Sequence, residues 1–247
     1  MKILVINPNT SQFVTDRVCA VARSFARDGV ELIGRTGSNG PAIVGTRSEC
    51  VIAAQEALHL AAKHAQGCDG VLLAISFDSG LDALREVLDI PVIGMSEAGM
   101  LAAMTVSRRF SMVTFGMRAV PLYEELVEHY RWGARSSGVI SLPPLTPAEL
   151  RDTSLVIPQL VDAIEQAIRD RGAESIVLAG AVFAGIAAEL RGKVSVPVID
   201  SIGAAVHQLQ MLASLCPRKP ASGSLAFPPA TELTGMPPAL TEMFRKF

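Results

Sequence analysis

The sequence has little of what usually announces a partner or a metal. It has no basic cluster: 22 Lys and Arg stand against 24 Asp and Glu, a formal net charge of −2. That balance disfavours nucleic acid or an anionic membrane surface as partner. No apolar run reaches the ~18 residues of a membrane-spanning helix. Charged residues are 19% against 49% hydrophobic, which argues against disorder and makes a large core available. The four cysteines, Cys19, Cys50, Cys68 and Cys216, show no metal-ligand spacing and read as free thiols of a cytoplasmic protein. His59 and His64 lie on one predicted helix at a spacing that does not share a face, and His129 and His207 read as surface or packing residues. No metal and no cofactor is expected. The chain enters a strand at once and then Asn7-Pro8-Asn9, so a secretory leader is not expected.

What is present is an organising stretch, Val71-Leu-Leu-Ala-Ile-Ser-Phe-Asp-Ser-Gly80. Its apolar start reads as a central parallel strand. Its polar end stands where open α/β sheets bind ligands, beyond a strand's carboxyl end. Ile176-Val-Leu-Ala-Gly-Ala-Val-Phe-Ala-Gly185 echoes it about 105 residues later. Each is followed by a second matching piece, Ile90-Pro-Val-Ile-Gly94 and Val196-Pro-Val-Ile-Asp200, and Ile3–Asn9 matches Ser111–Gly116 loosely. The expected fold is therefore α/β, with two pseudo-symmetric domains, parallel central sheets and a cleft between them. The expected division is 1–97 plus 206–247 for the first domain and 98–205 for the second.

Helices are expected at 12–28, capped by Thr10 or Ser11, and at 48–66, 81–88, 96–107, 122–130, 154–171, 186–191 and 202–215. Thr146-Pro-Ala-Glu149 is a helix start, with Pro147 and Glu149 at the first-turn and capping-box positions. From Cys216 the composition shifts to Pro217, Pro220, Pro228, Pro229, Pro237 and Pro238. This tail, helical only near 239–244, reads as an apolar strap on its own domain or on a partner subunit.

Candidate site residues follow from these positions. Ser76, Phe77, Asp78 and Ser79 end the organising strand, and Gly180, Ala181 and Val182 end its echo. Asn7, Asn9 and Thr10 follow the first strand, where a helix N-terminus offers N–H groups. Thr114 and Gly116 close the strand that opens the second half, and Glu97 lies one helix cap beyond another. A desolvated Asp78 would be a base, and Ser76 a nucleophile if a base stood beside it. The plain alternatives are turn and cap chemistry for Asn7, Asn9, Thr10, Asp78, Ser79 and Glu97.

Taken as a set, Ile6-Asn-Pro-Asn-Thr-Ser11, Gly80-Leu-Asp-Ala-Leu-Arg85, Asp89-Ile-Pro-Val-Ile-Gly94 with Glu97-Ala98, and Val196-Pro-Val-Ile-Asp200 resemble the aspartate/glutamate/hydantoin racemase superfamily, nearest its hydantoin and allantoin branch. The resemblance covers about residues 1 to 210. It implies two pseudo-symmetric α/β domains with the active site between them. It also implies a cofactor-free proton transfer by two cysteines, one after a central strand of each half. Here the first position falls at Ser76, or at Ile75 without a gap, and the second at Gly180 or Ala181. What the resemblance then implies is an isomerase or racemase-like enzyme on a small polar carbonyl compound, with Ser76 or Asp78 carrying the proton. The alternatives are a lyase or decarboxylase in the same cleft, an activity also found in the family, or a ligand-binding protein without turnover. A small-molecule substrate and a homo-oligomer are expected.

Overall fold

A computed structural model describes residues 1–215 and 219–245. Cys216, Pro217 and Phe247 lie outside the described residues. Two four-stranded parallel sheets form. The first runs β2-β1-β3-β4, from β1 (Lys2–Asn7), β2 (Glu31–Thr36), β3 (Gly70–Leu73) and β4 (Val92–Gly94). The second repeats that order as β6-β5-β7-β8, from β5 (Phe110–Phe115), β6 (Ser136–Leu142), β7 (Ser175–Leu178) and β8 (Val198–Ile199). Register repeats as well: Ile3 pairs with Gly70 in the first sheet and Phe110 with Ser175 in the second.

Burial on both faces explains the unbroken apolar strands. Ile3, Val5 and Leu72 pack with α1 (Gln12–Phe25) and α8 (Ser201–Leu215), whereas Leu4, Ile6 and Leu73 face α2 (Arg47–His64) and α3 (Leu81–Val87). In the second sheet Phe110, Met112 and Val177 meet α4 (Met95–Val106) and α5 (Val120–His129). The opposite face packs on α7 (Ile157–Arg171). The expected capping box forms at the start of α6 (Pro147–Arg151), where Thr146 and Glu149 bond reciprocally. α8 starts from β8 but lies on α1, α4, β3 and β4, which supports the proposal that the chain after residue 205 belongs with the first domain. The tail returns too: α9 (Pro238–Arg245) packs on α2 and buries Leu240.

Three expectations need correction. α1 stops at Phe25, where Ala26 becomes extended (φ −75°, ψ 139°), and the chain then turns at Gly29, φ 80°. Ser11 occupies its N-cap position without a side-chain cap bond, because the Ser11 hydroxyl donates to Ala42 O at 2.6 Å. No α-helix forms over 186–191. Two short 3-10 turns, Ala181–Phe183 and Ile186–Ala188, replace it, and Asp200 holds Gly185 N at 2.8 Å between them.

Candidate active site

In each sheet the chain leaves the first strand to one side and returns on the other. The carboxyl ends of β1 and β3, and of β5 and β7, are thus the switch points where ligands bind. These four ends meet around one cavity of ≈ 580 Å³. A hollow of ≈ 620 Å³ lies at the amino ends of β1, β3 and β4, lined by Met1, Asp69 and Pro91. The smaller cavity is the better candidate, because only it gathers strand ends from both halves.

Of the residues singled out from sequence, Asn9, Ser76, Phe77, Thr114, Gly116, Gly180, Ala181 and Val182 line this cavity. The end of β3 and its echo therefore face one space. Asn7, Thr10, Asp78, Ser79 and Glu97 do not line it. The Asn7 side chain is buried and donates to Asn9 Oδ1 at 2.9 Å and to Thr15 Oγ1 at 3.0 Å. Thr10 N donates to Pro41 O at 3.1 Å, fastening the loop that brings Ile43 to Thr46 into the wall. Glu56 fastens the same loop, accepting from Ser38 N at 2.8 Å. Glu97 pairs through both oxygens with the Arg85 guanidinium. Ser79 lies beside Cys50 in an adjoining groove of ≈ 360 Å³ behind Phe77.

Asp78 is the main correction. Burial and a left-handed backbone, φ 48°, turn its carboxylate away from the cavity and onto the N-terminus of α4. There it accepts from Ser96 N at 3.1 Å, Glu97 N at 2.8 Å and Tyr130 Oη at 2.9 Å. Gly94 makes room, since a Cβ there would lie 2.5 Å from Asp78 Cγ. Desolvation outweighs the three donors and pushes the carboxyl up to about 7. The group caps a neighbouring helix across the sheet rather than facing a ligand.

The cavity floor is made instead of hydroxyls, and the sequence reading missed the central one. Tyr123 Oη donates to Ser76 Oγ at 2.9 Å, and Thr114 lies in hydrogen-bond reach of the same phenol. Ser96 Oγ donates to Ser76 O, so it can only accept from Ser76 Oγ, 3.3 Å away. Ser76 therefore accepts from Tyr123 and has its own proton to offer, to Ser96 or to a ligand. Asn9 Oδ1 takes protons from Asn7 Nδ2 and Ser11 N, both at 2.9 Å, which leaves its NH₂ end for a ligand. The Tyr123 ring stacks on Phe77 with centroids 4.4 Å apart. Its burial raises the hydroxyl well above the usual tyrosine value, because the anion loses its water.

Tyr123 and Tyr130 are the chain's two tyrosines. Two turns apart along α5 and its C-cap, they fall on one face and reach from the second half to Ser76 and Asp78 of the first. That spacing, read beside the strand-end polar turn, is the signal that would have found them. α5 is tied across by Glu125 to Arg47 and by His129 to Asp82 at 3.1 Å. The opposite wall carries no such group. Gly180 has φ 140°, and a Cβ there would meet Phe115 Cε1 at 3.0 Å. The backbone itself therefore resists a cysteine at this position. Cys19 and Cys68 lie away from the cavity, and burial raises the thiols of Cys19, Cys50 and Cys68.

The Asp/Glu/hydantoin racemase family model matches residues 3–209. The chain belongs to that family. A hydantoin racemase of Rhizobium meliloti is 35% identical over 217 residues, 86% of this chain and 88% of that protein. One from Paenarthrobacter aurescens is 33% identical, covering 87% of this chain and 92% of the relative. The solved allantoin racemase from Klebsiella pneumoniae superposes with a TM-score of 0.92 at 31% identity, over 98% of this chain and 99% of that one. The family and the two-sheet fold make the protein an enzyme of racemase descent that takes a small-molecule substrate. Among the described residues no helix is long and apolar enough to cross a membrane.

Proposed function

We propose that the protein is a cofactor-independent isomerase that acts on a small hydantoin-like carbonyl compound through an enolate, with the Ser76–Tyr123 hydroxyl pair moving the proton in place of thiols. The observation that carries this reading is the 2.9 Å bond from Tyr123 Oη to Ser76 Oγ on the cavity floor. In the reacting form this pair has lost one proton. Ser76 Oγ takes the proton from the carbon beside the carbonyl and passes its own to the Tyr123 phenolate. The C–H electron pair moves to the carbonyl oxygen, where the Asn9 NH₂ is the donor placed to meet it. Reversal returns the proton to carbon. Inversion needs the enolate to turn, or to take its proton from water on the Gly180 side, since Gly180, Ala181 and Val182 bring no titratable group. The phenol is raised above its ordinary value, so the reacting form is minor near neutrality. Exchange then rises with pH, about tenfold per unit, through the neutral range. A cytoplasmic location and a homo-oligomeric assembly go with this reading as further expectations.

One observation favours a second reading. Among the residues lining the cavity none carries a carboxylate, thiol, imidazole or amine. A decarboxylation needs no such base: the C–C electron pair moves to the carbonyl oxygen, carbon dioxide leaves, and Ser76 gives the enolate its proton while taking one from Tyr123 Oη, which water then reprotonates. The two are separated by incubating the protein in deuterium oxide with 5-methylhydantoin and, in parallel, with a malonate-type acid. Exchange at the ring carbon without carbon dioxide is the expected result. Carbon dioxide release with one deuterium gained assigns the lyase. Binding with neither reaction contradicts both and leaves a ligand-binding protein.

A further inference from the structure

The cavity carries one charge. Arg118, exposed at its rim in the turn before α5, is the sole charged side chain among the lining residues. Other arginines nearby are committed: Arg47 to Glu125, Arg85 to Glu97, and Arg17 to the carbonyls of Leu150, Arg151 and Val182. Among the described residues Arg118 has no ion pair or hydrogen bond. No acid stands in the first turn of α5 to compete for it. The rest of the wall is hydroxyl, carboxamide or hydrocarbon, including Val14, Ile43, Leu145 and Leu150. A neutral substrate would leave this guanidinium unused. A guanidinium matches a carboxylate in shape and charge through paired N–H donors.

We propose that the substrate is an anion: a hydantoin-like compound with a carboxylate-bearing arm, the carboxylate resting on Arg118 while the reacting carbonyl lies over Ser76 and Tyr123. This rests on the reading of the cleft as the site of a hydantoin-like substrate. Because Arg118 is exposed, its effect is screened and of moderate size. Hydantoin-5-acetate and its neutral isostere hydantoin-5-acetamide match in size and differ only at the end of the arm, where the amide loses the charge and one acceptor oxygen, so they isolate the anionic group.

Binding of both is measured by titration calorimetry, and exchange at the ring carbon by proton NMR in deuterium oxide. The acetate is expected to bind about five- to tenfold more tightly than the amide. That preference should shrink with added salt, vanish in Arg118→Gln and survive in part in Arg118→Lys, with the amide losing less affinity than the acetate in each variant. Equal affinities, a loss in Arg118→Gln common to both compounds, or binding of neither overturns the proposal. If the acetate binds preferentially through Arg118 but neither compound exchanges, the proposed reaction fails and the substrate class stands. If both exchange without charge preference, the reaction stands and the substrate class falls.

Discussion

Tyr123→Phe is expected to lower kcat for proton exchange by about two orders of magnitude while KM stays within a few-fold. Phenylalanine keeps the ring that stacks on Phe77 at 4.4 Å between centroids, so the cavity wall survives. What disappears is the donor to Ser76 Oγ and the acceptor that Thr114 reaches. Ser76 then has nowhere to pass its proton, and its own hydroxyl is a far weaker base. The stability cost is small, about 1 kcal/mol for a lost hydrogen bond between partly compensated hydroxyls. A melting temperature within a few degrees of the parent, with kcat reduced, is the expected pair of readings. An unchanged kcat would remove Tyr123 from the chemistry.

Asp78→Asn should act first on the fold. Both carboxylate oxygens accept from backbone N–H groups, at 3.1 Å from Ser96 and 2.8 Å from Glu97. An amide has one acceptor end, so its NH₂ must oppose one of those buried donors, a loss of about 2 to 3 kcal/mol. The gap between parent and variant depends on pH. The folded carboxyl is pushed up to about 7, against an ordinary value of 3.8. Between those values the folded state holds the proton more strongly than the unfolded chain does. Parent stability therefore falls as pH rises from about 4 to about 7 and is level above that, by roughly 4 kcal/mol at most. The amide of the variant cannot titrate, so denaturant unfolding at pH 5 and pH 8 should show a wider gap at pH 5. A gap that is constant with pH would mean that the folded carboxylate is no harder to ionise than the unfolded one. Activity should drop as well, because Ser96, which Asp78 anchors through its N–H, also bonds Ser76 O.

The duplicated fold was legible because strands buried on both faces must be apolar runs. Val71–Ile75 and Ile176–Gly180 repeat with their following Pro-Val-Ile pieces, so period and order pointed to two sheets. The switch-point rule then located Ser76 and Gly180 without any side-chain geometry. Direction was not legible. Asp78 sits two residues beyond Ser76, yet its positive φ sends the carboxylate to a helix on the next strand, which no local pattern states. Across the halves the link is inverted: Asp200 stands where Gly94 stands in the first half and reaches back to the loop after β7. Tyr123 was missed because it arrives from the other half, 47 residues from the Ser76 it bonds, and nothing local to Ser76 names the helix that reaches over it. Arg118 was passed over because a charge in a surface turn usually means solvent.

If a hydroxyl at residue 76 carries the proton, Ser76→Cys should change the pH dependence of exchange in a defined way. A thiol ionises near 8.5 in water, and even when raised by burial it remains the stronger acid. Exchange of 5-methylhydantoin in deuterium oxide should be followed from about pH 6 to about pH 10 for parent and variant. The parent rate is expected to climb throughout. The variant should climb earlier, level off near its thiol pKa, exceed the parent at least about tenfold at neutral pH, and lose its activity on alkylation. The same pH profile in both proteins, or a variant indifferent to alkylation, would contradict proton transfer by a hydroxyl at residue 76.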